Sequence, residues 1–369
     1  MVTVPARSGA CRRCGPSALA LAARSGSSSS RSSSASSSAR LSFASARASI
    51  TTDADIVPPA PPISAADLAT LREFVVAHPN LCLLTGAGMS TESGIPDYRS
   101  PNGSYSKGHK PITWQQFSRT EASRQRYWAR SMAGWQFMDQ REPNLGHAAV
   151  AELERLGRVT RLITQNVDRL HHRAGSTNVC ELHGTIFEVE CAGCGAIHDR
   201  DDMQAQLKAL NPHWADVVEK ARRQLSSENA PFAKREPGAD DIEPSDTNRP
   251  DGDVELDGVD YSTLSLPPCA SSGCDGFLKP GVVLFGENVP KPRVQSAMDS
   301  VLGSDALLIL GTSVQVYSAF RFVKACVAEE IPVCIVNAGP TRADPHADLI
   351  INATVGDALP KLLAELRRG

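Results

Sequence analysis

Short apolar segments that stop at glycine or polar residues alternate with helical segments along this chain. The segments LCLLTGAGMS, RVTRLITQNVD, DALLILGTS and IPVCIVNAGP each run through hydrophobic residues before a Gly, Gln or Asn. Continuous apolar segments of this length are typical of strands buried on both faces. Helical stretches such as YSAFRFVKACVAEE lie between them. The alternation predicts an α/β fold, a doubly wound parallel sheet with helices on both faces.

The predicted strands end in residues that suit ligand binding. Gly86, Gln165, Gly311 and Asn337 each follow an apolar segment. The carboxyl ends of parallel strands meet at one edge of the sheet, and ligands bind in the crevice outside that edge. These four residues therefore predict the position of a binding cleft.

The turn GAGMSTESG contains part of a dinucleotide-binding pattern. Gly86 and Gly88 would bring backbone N–H groups to a phosphate, but Thr91 stands where the pattern has a third glycine. The IPDYRS that follows is long enough to close over a ligand, and its Arg99 could pair with a phosphate. No G-x4-G-K-[ST] sequence is present, so phosphoryl transfer from a nucleoside triphosphate is not expected.

The cysteines point to a metal rather than to disulfides. Ten occur in 369 residues without a recognisable secretory leader, so a disulfide framework is not expected. Cys191-x2-Cys194 and Cys269-x4-Cys274 lie in glycine-containing turns, which let two thiolates converge on one ion. The two pairs predict a closed, structural Zn²⁺ site without His198; four unrelated buried thiols are the alternative.

Composition sets a few further limits. The chain is 41% hydrophobic, enough for one large core with a smaller module, and its formal net charge is −3. This near balance predicts no extended surface for nucleic acid. No run of about 18 apolar residues is present, so no membrane span is expected. Nothing in the sequence indicates an obligate partner.

Two segments lack the pattern of a folded core. Residues 1–52 are rich in Ser, Ala and Arg and contain no Asp or Glu, which is typical of a transit peptide that is removed after import. A Ser-rich tail that stays attached is the alternative, and the mitochondrial matrix fits better than the plastid. Residues 226–268 are acidic and rich in Pro, Gly and Ser, which predicts a flexible, solvated insertion between the cysteine pairs.

Several motifs, in this order, resemble those of the sirtuin family. They are GAGMSTESGIPDYR, TQNVD, ELHG, the four cysteines, LKPGVVLFGE, GTSVQV and VNAGP, within residues 64–365. RQRYWAR, LNPHW, RPDGDVEL and VQVYSAFRF further resemble class II sirtuins, whose animal member is mitochondrial. The resemblance implies a catalytic domain over residues 53–369. Its Rossmann-like part would comprise residues 64–185 and 276–369, and its zinc module residues 186–275.

The resemblance also implies an activity and its cofactors. Sirtuins are NAD-dependent enzymes that transfer acyl groups from protein lysines to ADP-ribose and release nicotinamide, so NAD, Zn²⁺ and acyl-lysine proteins are implied here. Protein mono-ADP-ribosylation is one alternative. A non-enzymatic zinc module that senses NAD is the other; loss of His183 or Asn166 would favour it, and both residues are present.

Residue roles follow from matching the motifs. His183 in ELHG matches the catalytic base, and a neutral imidazole can deprotonate a ribose hydroxyl. His171 and His172 match no catalytic position, whereas Asn166 and Asp168 join His183 in the implied catalytic set. The implied cofactor contacts are Gly86, Ala87, Gly88, Thr91, Ile95, Pro96, Asp97, Tyr98, Arg99, Gln165, Asn166, Val167, Asp168, Gly311, Thr312, Ser313, Asn337, Ala338, Gly339 and Val355. The implied substrate contacts, which would pair with the peptide as an added strand, are Val282, Val283, Leu284, Phe285 and Gly286.

RYWAR carries a hypothesis about the acyl group. Tyr127 and Arg130 lie one helical turn apart on one face, as in the Tyr-x-x-Arg pair with which desuccinylating sirtuins bind the far carboxylate of an acyl chain. On this hypothesis Arg130 forms a bidentate hydrogen bond to the far carboxylate, and the protein therefore processes branched or straight dicarboxylic acyl groups better than acetyl. A surface arginine on an ordinary helix is the alternative.

Overall fold

The computed structural model describes residues 56–228, 249–256 and 258–368. The predicted transit peptide and residues 229–248 of the predicted insertion lie outside the described residues. None of the described helices is long and apolar enough to cross a membrane.

The elements follow the alternation that the sequence predicts. The strands are β1 (Leu81–Thr85), β2 (Val159–Thr164), β3 (Val179–Glu181), β4 (Gly184–Cys191), β5 (Ile197–Asp199), β6 (Leu278–Val282), β7 (Ala306–Leu310), β8 (Val333–Asn337) and β9 (Leu349–Asn352). The α-helices are α1 (Ala65–Ala77), α2 (Trp114–Arg119), α3 (Glu121–Asp139), α4 (Leu145–Arg155), α5 (Leu170–Arg173), α6 (Arg200–Leu210), α7 (Ala215–Glu228), α8 (Lys291–Leu302), α9 (Tyr317–Ala328) and α10 (Val355–Leu366).

Six of these strands form one parallel sheet in the order β3-β2-β1-β7-β8-β9. The strand order reverses between β1 and β7, which are hydrogen-bonded neighbours. A reversal of this kind opens a crevice at the carboxyl ends of the two strands, where doubly wound folds bind dinucleotides. The predicted Rossmann-like, doubly wound fold is confirmed.

The large sheet is covered on both faces. Leu81 and Leu83 of β1 pack into a core with α1, α4 and α10, and Cys82 and Leu84 pack into a second core with α8 and α9. All of β1 is buried. Burial on both faces explains why β1 is an unbroken apolar run instead of an alternating one.

A smaller antiparallel sheet, β5-β4-β6, carries the cysteine pairs at its end. Cys191 ends β4, and Cys269 and Cys274 precede β6. Strand β6 belongs to this sheet, although the predicted division placed its residues in the Rossmann-like part. The reason is that β6 pairs antiparallel with β4, and the order of motifs along the chain does not show this pairing.

The last part of the predicted insertion packs onto α3. Val254, Leu256 and Leu264 are buried in the core between α3 and the small sheet. At Gly134 of α3 a Cβ atom would collide with the carbonyl oxygen of Gly252, so this close approach needs glycine. The interpretation of residues 249–256 as part of a solvated loop is wrong, because apolar side chains alternate there with paired acidic ones.

Candidate active site

A cavity of about 890 Å³ lies at the carboxyl edge of the large sheet, around the reversal in strand order. This volume falls within the roughly 300–1,000 Å³ typical of cofactor and ligand sites. The predicted residues that line it are Ala87, Gly88, Thr91, Asp97, Tyr98, Arg99, Gln165, Asn166, Val167, His183, Val282, Val283, Leu284, Phe285, Gly286, Gly311, Thr312, Ser313, Asn337, Ala338, Gly339 and Val355. Most of the predicted cofactor and substrate contacts therefore share one cavity.

The turns after β1 and β7 meet at the centre of this cavity. A Cβ atom on Gly88 would lie 2.8 Å from the carbonyl oxygen of Gly311, so the two turns touch backbone to backbone. Gln165 Nε2 donates to Thr312 Oγ1 at 3.0 Å and to the carbonyl oxygen of Thr85 at 3.1 Å. The side chain of Gln165 thereby joins the ends of β1, β2 and β7, and the cavity lies at the strand ends where the cleft was predicted, with Gly86 behind its lining.

His183 is held in one tautomer. Its Nδ1 lies 3.1 Å from the carbonyl oxygen of Gln165, and its Nε2 lies 2.8 Å from Ser318 Oγ. Because a carbonyl only accepts, Nδ1 donates to it, and Nε2 accepts a hydrogen bond from the Ser318 hydroxyl. Desolvation lowers the pKa of His183 to about 4. The imidazole is therefore neutral at physiological pH, with a lone pair on Nε2 directed into the cavity lining.

Asn166 and Asp168 are linked through a serine of the first glycine turn. Asn166 Nδ2 donates to Ser90 Oγ at 3.0 Å, and Ser90 Oγ donates to Asp168 Oδ2 at 2.6 Å. Burial raises the pKa of Asp168, against the hydrogen bond from Ser90. Asn166 lines the cavity, while Asp168 lies behind it and fixes the loop through the backbone N–H of Leu170.

The other two histidines do not line the cavity. His171 is buried, its Nε2 lies 3.1 Å from Thr85 Oγ1, and desolvation lowers its pKa to about 3. His172 lies near the carboxylate of Glu181, at 3.7 Å. That neither takes part in catalysis stays a prediction.

The IPDYRS segment is ordered by its own carboxylate. Asp97 Oδ1 accepts the backbone N–H groups of Arg99 and Ser100 at 2.9 and 2.8 Å. The Arg99 guanidinium stacks over the ring of Tyr105 at 5.1 Å. Ile95 and Pro96 are buried, and Gly86 packs against Thr312, so these three predicted contacts lie behind the lining.

The segment after β6 runs along the cavity beside the histidine. The backbone N–H of Val283 donates to the carbonyl oxygen of His183 at 2.8 Å, and that of Trp114 donates to Phe285 at 2.9 Å. Strand β6 itself pairs with β4. The segment is thus anchored on both sides at the place where the motif predicts a peptide.

The four predicted cysteines converge on one point. The Sγ atoms of Cys191 and Cys274 are 3.6 Å apart, those of Cys194 and Cys269 are 3.7 Å apart, and all four lie within 4.8 Å of one another. Two Zn–S bonds of about 2.3 Å at a tetrahedral angle separate their sulfurs by about 3.8 Å. The four residues therefore fit a Zn²⁺ ion.

Tyr127 and Arg130 are not among the described residues that line the cavity. Arg130 is 7% exposed, which rules out an ordinary surface arginine. Its Nε lies 2.7 Å from Asp253 Oδ1 and its Nη2 2.9 Å from Glu255 Oε2. Arg249 pairs with the same two carboxylates. In this arrangement the guanidinium is already bound by protein carboxylates, and its role toward an acyl chain stays a prediction.

Among the lining residues that were not predicted, three carry polar groups that bear on the site. Ser318 bonds to His183, Asp251 faces the cavity from the turn before Gly252, and Arg321 follows one turn after Ser318 in α9. Their only sequence signal is that Ser318 and Arg321 belong to VQVYSAFRF and Asp251 to RPDGDVEL. Membership of a motif does not show which of its side chains reach a cavity.

Comparisons with known proteins agree with this geometry. The Sir2 family model matches residues 86–318. The chain is 46% identical over 312 residues to "NAD-dependent protein deacylase SRT2" of Arabidopsis thaliana, covering 84% of this chain and 80% of the relative. It is 42% identical over 316 residues to "NAD-dependent protein deacylase Sirt4" of Drosophila melanogaster, covering 85% and 92%.

Solved structures extend the similarity to the fold. A chain described under "Structural Basis for the Mechanism and Regulation of Sir2 Enzymes" matches with a TM-score of 0.58 and 29% identity, covering 83% of this chain and 99% of that one. "Structure of Sir2Tm bound to a propionylated peptide" matches with a TM-score of 0.57 and 27% identity, covering 82% and 99%. The chain belongs to the Sir2 family. Within that family it is an NAD-dependent protein deacylase.

Proposed function

We propose that this deacylase transfers an acyl group from a protein lysine to the ADP-ribose part of NAD, with His183 as general base. The observation that carries the assignment is the neutral Nε2 of His183 on the cavity lining, with Nδ1 fixed on Gln165. A base of this kind must accept a proton from a hydroxyl, and typically contributes about 10²–10⁴-fold in rate.

The cavity residues divide into a cofactor end and a substrate end. The turns at Gly88 and Gly311 bring their backbones together at the carboxyl edge, and Asn337 ends the next strand, β8, at the edge where doubly wound folds bind ribose and phosphate. When bound there, NAD supplies the electrophilic ribose carbon and the nicotinamide leaving group. Residues 282–286 would pair with the backbone of the acylated peptide as an added strand.

Several residues orient the reactants. Asn166 presents its amide to the cavity while Ser90 ties it to Asp168, so its direction is fixed before any ligand binds. Asp97 orders the segment that would close over the nicotinamide end and exclude water. The zinc module stands apart, because its four sulfurs would hold a Zn²⁺ ion as a structural centre, with no ligand position left for a reactant.

The decisive experiment measures nicotinamide release by the purified protein with NAD, with and without an acetyl-lysine peptide. We expect release to depend on the peptide, and mass spectrometry should detect deacylated peptide and acylated ADP-ribose. Release that depends on an unacylated protein, with ADP-ribose attached to it, would instead support mono-ADP-ribosylation. No release under either condition would contradict the proposal.

We also propose that the protein works in the mitochondrial matrix. Support comes from the basic, hydroxyl-rich and acid-free composition of residues 1–52. Fused to a fluorescent protein, these residues should direct it to mitochondria and be removed from the imported product. Fluorescence in plastids would replace this location with the second choice, and fluorescence in the cytosol would contradict both.

A further inference from the structure

Arg321 is a cation on the cavity lining to which no role has been given. Its guanidinium lies over the ring of Tyr317 at 5.3 Å, and its buried Nε has no hydrogen-bond partner. Within residues 56–228, 249–256 and 258–368, no carboxylate forms an ion pair with it. An arginine donor that is buried without a partner costs free energy, which a ligand can recover.

The other charges on the lining are already engaged or assigned. Asp97 accepts two backbone N–H groups, and Glu287 pairs with Lys279 at 3.0 Å. Asp251 accepts the backbone N–H of Asp253, and Arg99 stacks on an aromatic ring in the proposed cofactor segment. Arg321 therefore differs from them in being a partly buried cation of the lining that has no ion pair among the described residues and whose buried Nε has no hydrogen-bond partner.

Its place in α9 puts Arg321 at the substrate end. Ser318 and Arg321 are three residues apart, so they share one face of the helix. Ser318 hydrogen-bonds to His183, whose carbonyl oxygen accepts the N–H of Val283. Residues 288 and 289, which follow the proposed peptide-binding segment, line the same cavity.

We propose that Arg321 binds a carboxylate of the acylated substrate. The guanidinium fork matches a carboxylate in two parallel hydrogen bonds, which lysine cannot reproduce. Two sources share this chemistry: an acidic residue next to the modified lysine, and the far end of a dicarboxylic acyl group. The inference rests on the proposed function, since it uses the same substrate segment and the same base.

The test compares three peptides of otherwise equal sequence. One carries acetyl-lysine with neutral flanks, one acetyl-lysine with glutamate at flanking positions, and one glutaryl-lysine with neutral flanks. For each, kcat/KM is measured with wild type, Arg321→Met, Arg321→Lys and the control Lys324→Met, which alters an exposed cation of the same helix.

Each carboxylate peptide is compared with the neutral acetyl peptide by the ratio of their kcat/KM values. Arg321→Met should lower this ratio about 10-fold or more for the peptide whose carboxylate Arg321 binds. Arg321→Lys should restore only part of that ratio, and Lys324→Met should leave it within twofold of wild type. The peptide that shows the loss identifies the source. If both ratios in Arg321→Met stay within twofold of the wild-type ratios, the inference is overturned. If the wild-type protein is inactive on all three peptides, the result contradicts the proposed function instead.

Discussion

Polar side chains have different surroundings at the carboxyl edge of the large sheet and in the region between α3 and the zinc module. At the edge, His183 and Arg321 line a cavity, and among the described residues no carboxylate forms an ion pair with either of them. Between α3 and the zinc module, Arg130 is paired with protein carboxylates and the four thiols converge on each other. We therefore expect ligand binding where charged and titratable side chains line a cavity without an ion pair, and a stabilising role where the charges are paired with each other.

The contrast is sharpest between two arginines. Sequence reasoning selected Arg130 to bind a carboxylate, and the structure shows it bound to Asp253 and Glu255. Arg321 was not selected, and it lines the cavity with an unpartnered Nε. The same residue type thus forms buried ion pairs in one region and lines a cavity without an ion pair in the other.

The largest effect should come from the cavity edge. His183→Tyr should lower turnover by about 10²–10⁴-fold, because a phenol cannot act as a neutral base. Thermal unfolding should stay close to that of wild type, since His183 lies on a lining and not in a core. Nicotinamide release and a melting curve check both parts. His172→Ala is the control and should change little; a His183→Tyr enzyme with wild-type turnover would remove His183 from the mechanism.

In the zinc module we expect the opposite result, a loss of stability and metal. Cys194→Ser should abolish stoichiometric zinc and lower both solubility and melting temperature, because binding free energy of a structural zinc is folding free energy. Elemental analysis should find one zinc per chain in wild type. Cys326→Ala, which alters a buried thiol of the α9 core, is the control and should keep its zinc. Soluble, active wild type without zinc would contradict the assignment.

Arg130→Met tests whether the buried ion pairs belong to the fold or to the substrate. It should destabilise the protein by about 3 kcal/mol, because Asp253 is left buried and without this partner, while the more exposed Glu255 adds less. The ratio of glutaryl to acetyl turnover should stay unchanged, since Arg130 does not line the cavity. Denaturant unfolding and the peptide assay measure the two effects, with the exposed Arg126→Met as control. A reduced ratio would instead support the carboxylate-binding role that the Tyr-x-x-Arg spacing suggested.

The smallest effect should be a shift in pH dependence. Because the pKa of His183 is lowered to about 4, kcat/KM should stay level from neutral pH down to about pH 5 and fall below it as the base becomes protonated. The Ser318 hydroxyl donates to the neutral Nε2 and so stabilises the uncharged form. Ser318→Ala should therefore raise the pKa and move the acid limb to higher pH, and Ser318→Thr should restore it. An acid limb at the wild-type position in Ser318→Ala would mean that this hydrogen bond does not tune the base.

Local patterns in the sequence determined the fold class, the four cysteines that fit zinc and the strand ends around the cavity, while the other predicted lining residues came from the resemblance to the sirtuin family. The apolar runs of β1, β7 and β8 can be recognised because burial on both faces requires consecutive hydrophobic residues. The cysteine pairs are legible because metal geometry restricts their spacing within a turn. These constraints act over a few residues, so they leave a readable pattern.

Tertiary structure alone decided which polar groups are satisfied. Ser318 bonds to His183, which lies 135 positions away in the chain. Arg130 pairs with the carboxylate of Glu255, 125 positions further along the chain, and with that of Asp253, two residues before Glu255. Residues 249–256 look acidic and loop-like in sequence, yet two of their carboxylates pair with Arg130 of α3, and Asp251 lines the cavity. Whether a charge is paired depends on what folding brings against it, and spacing along the chain carries no record of such long-range contacts.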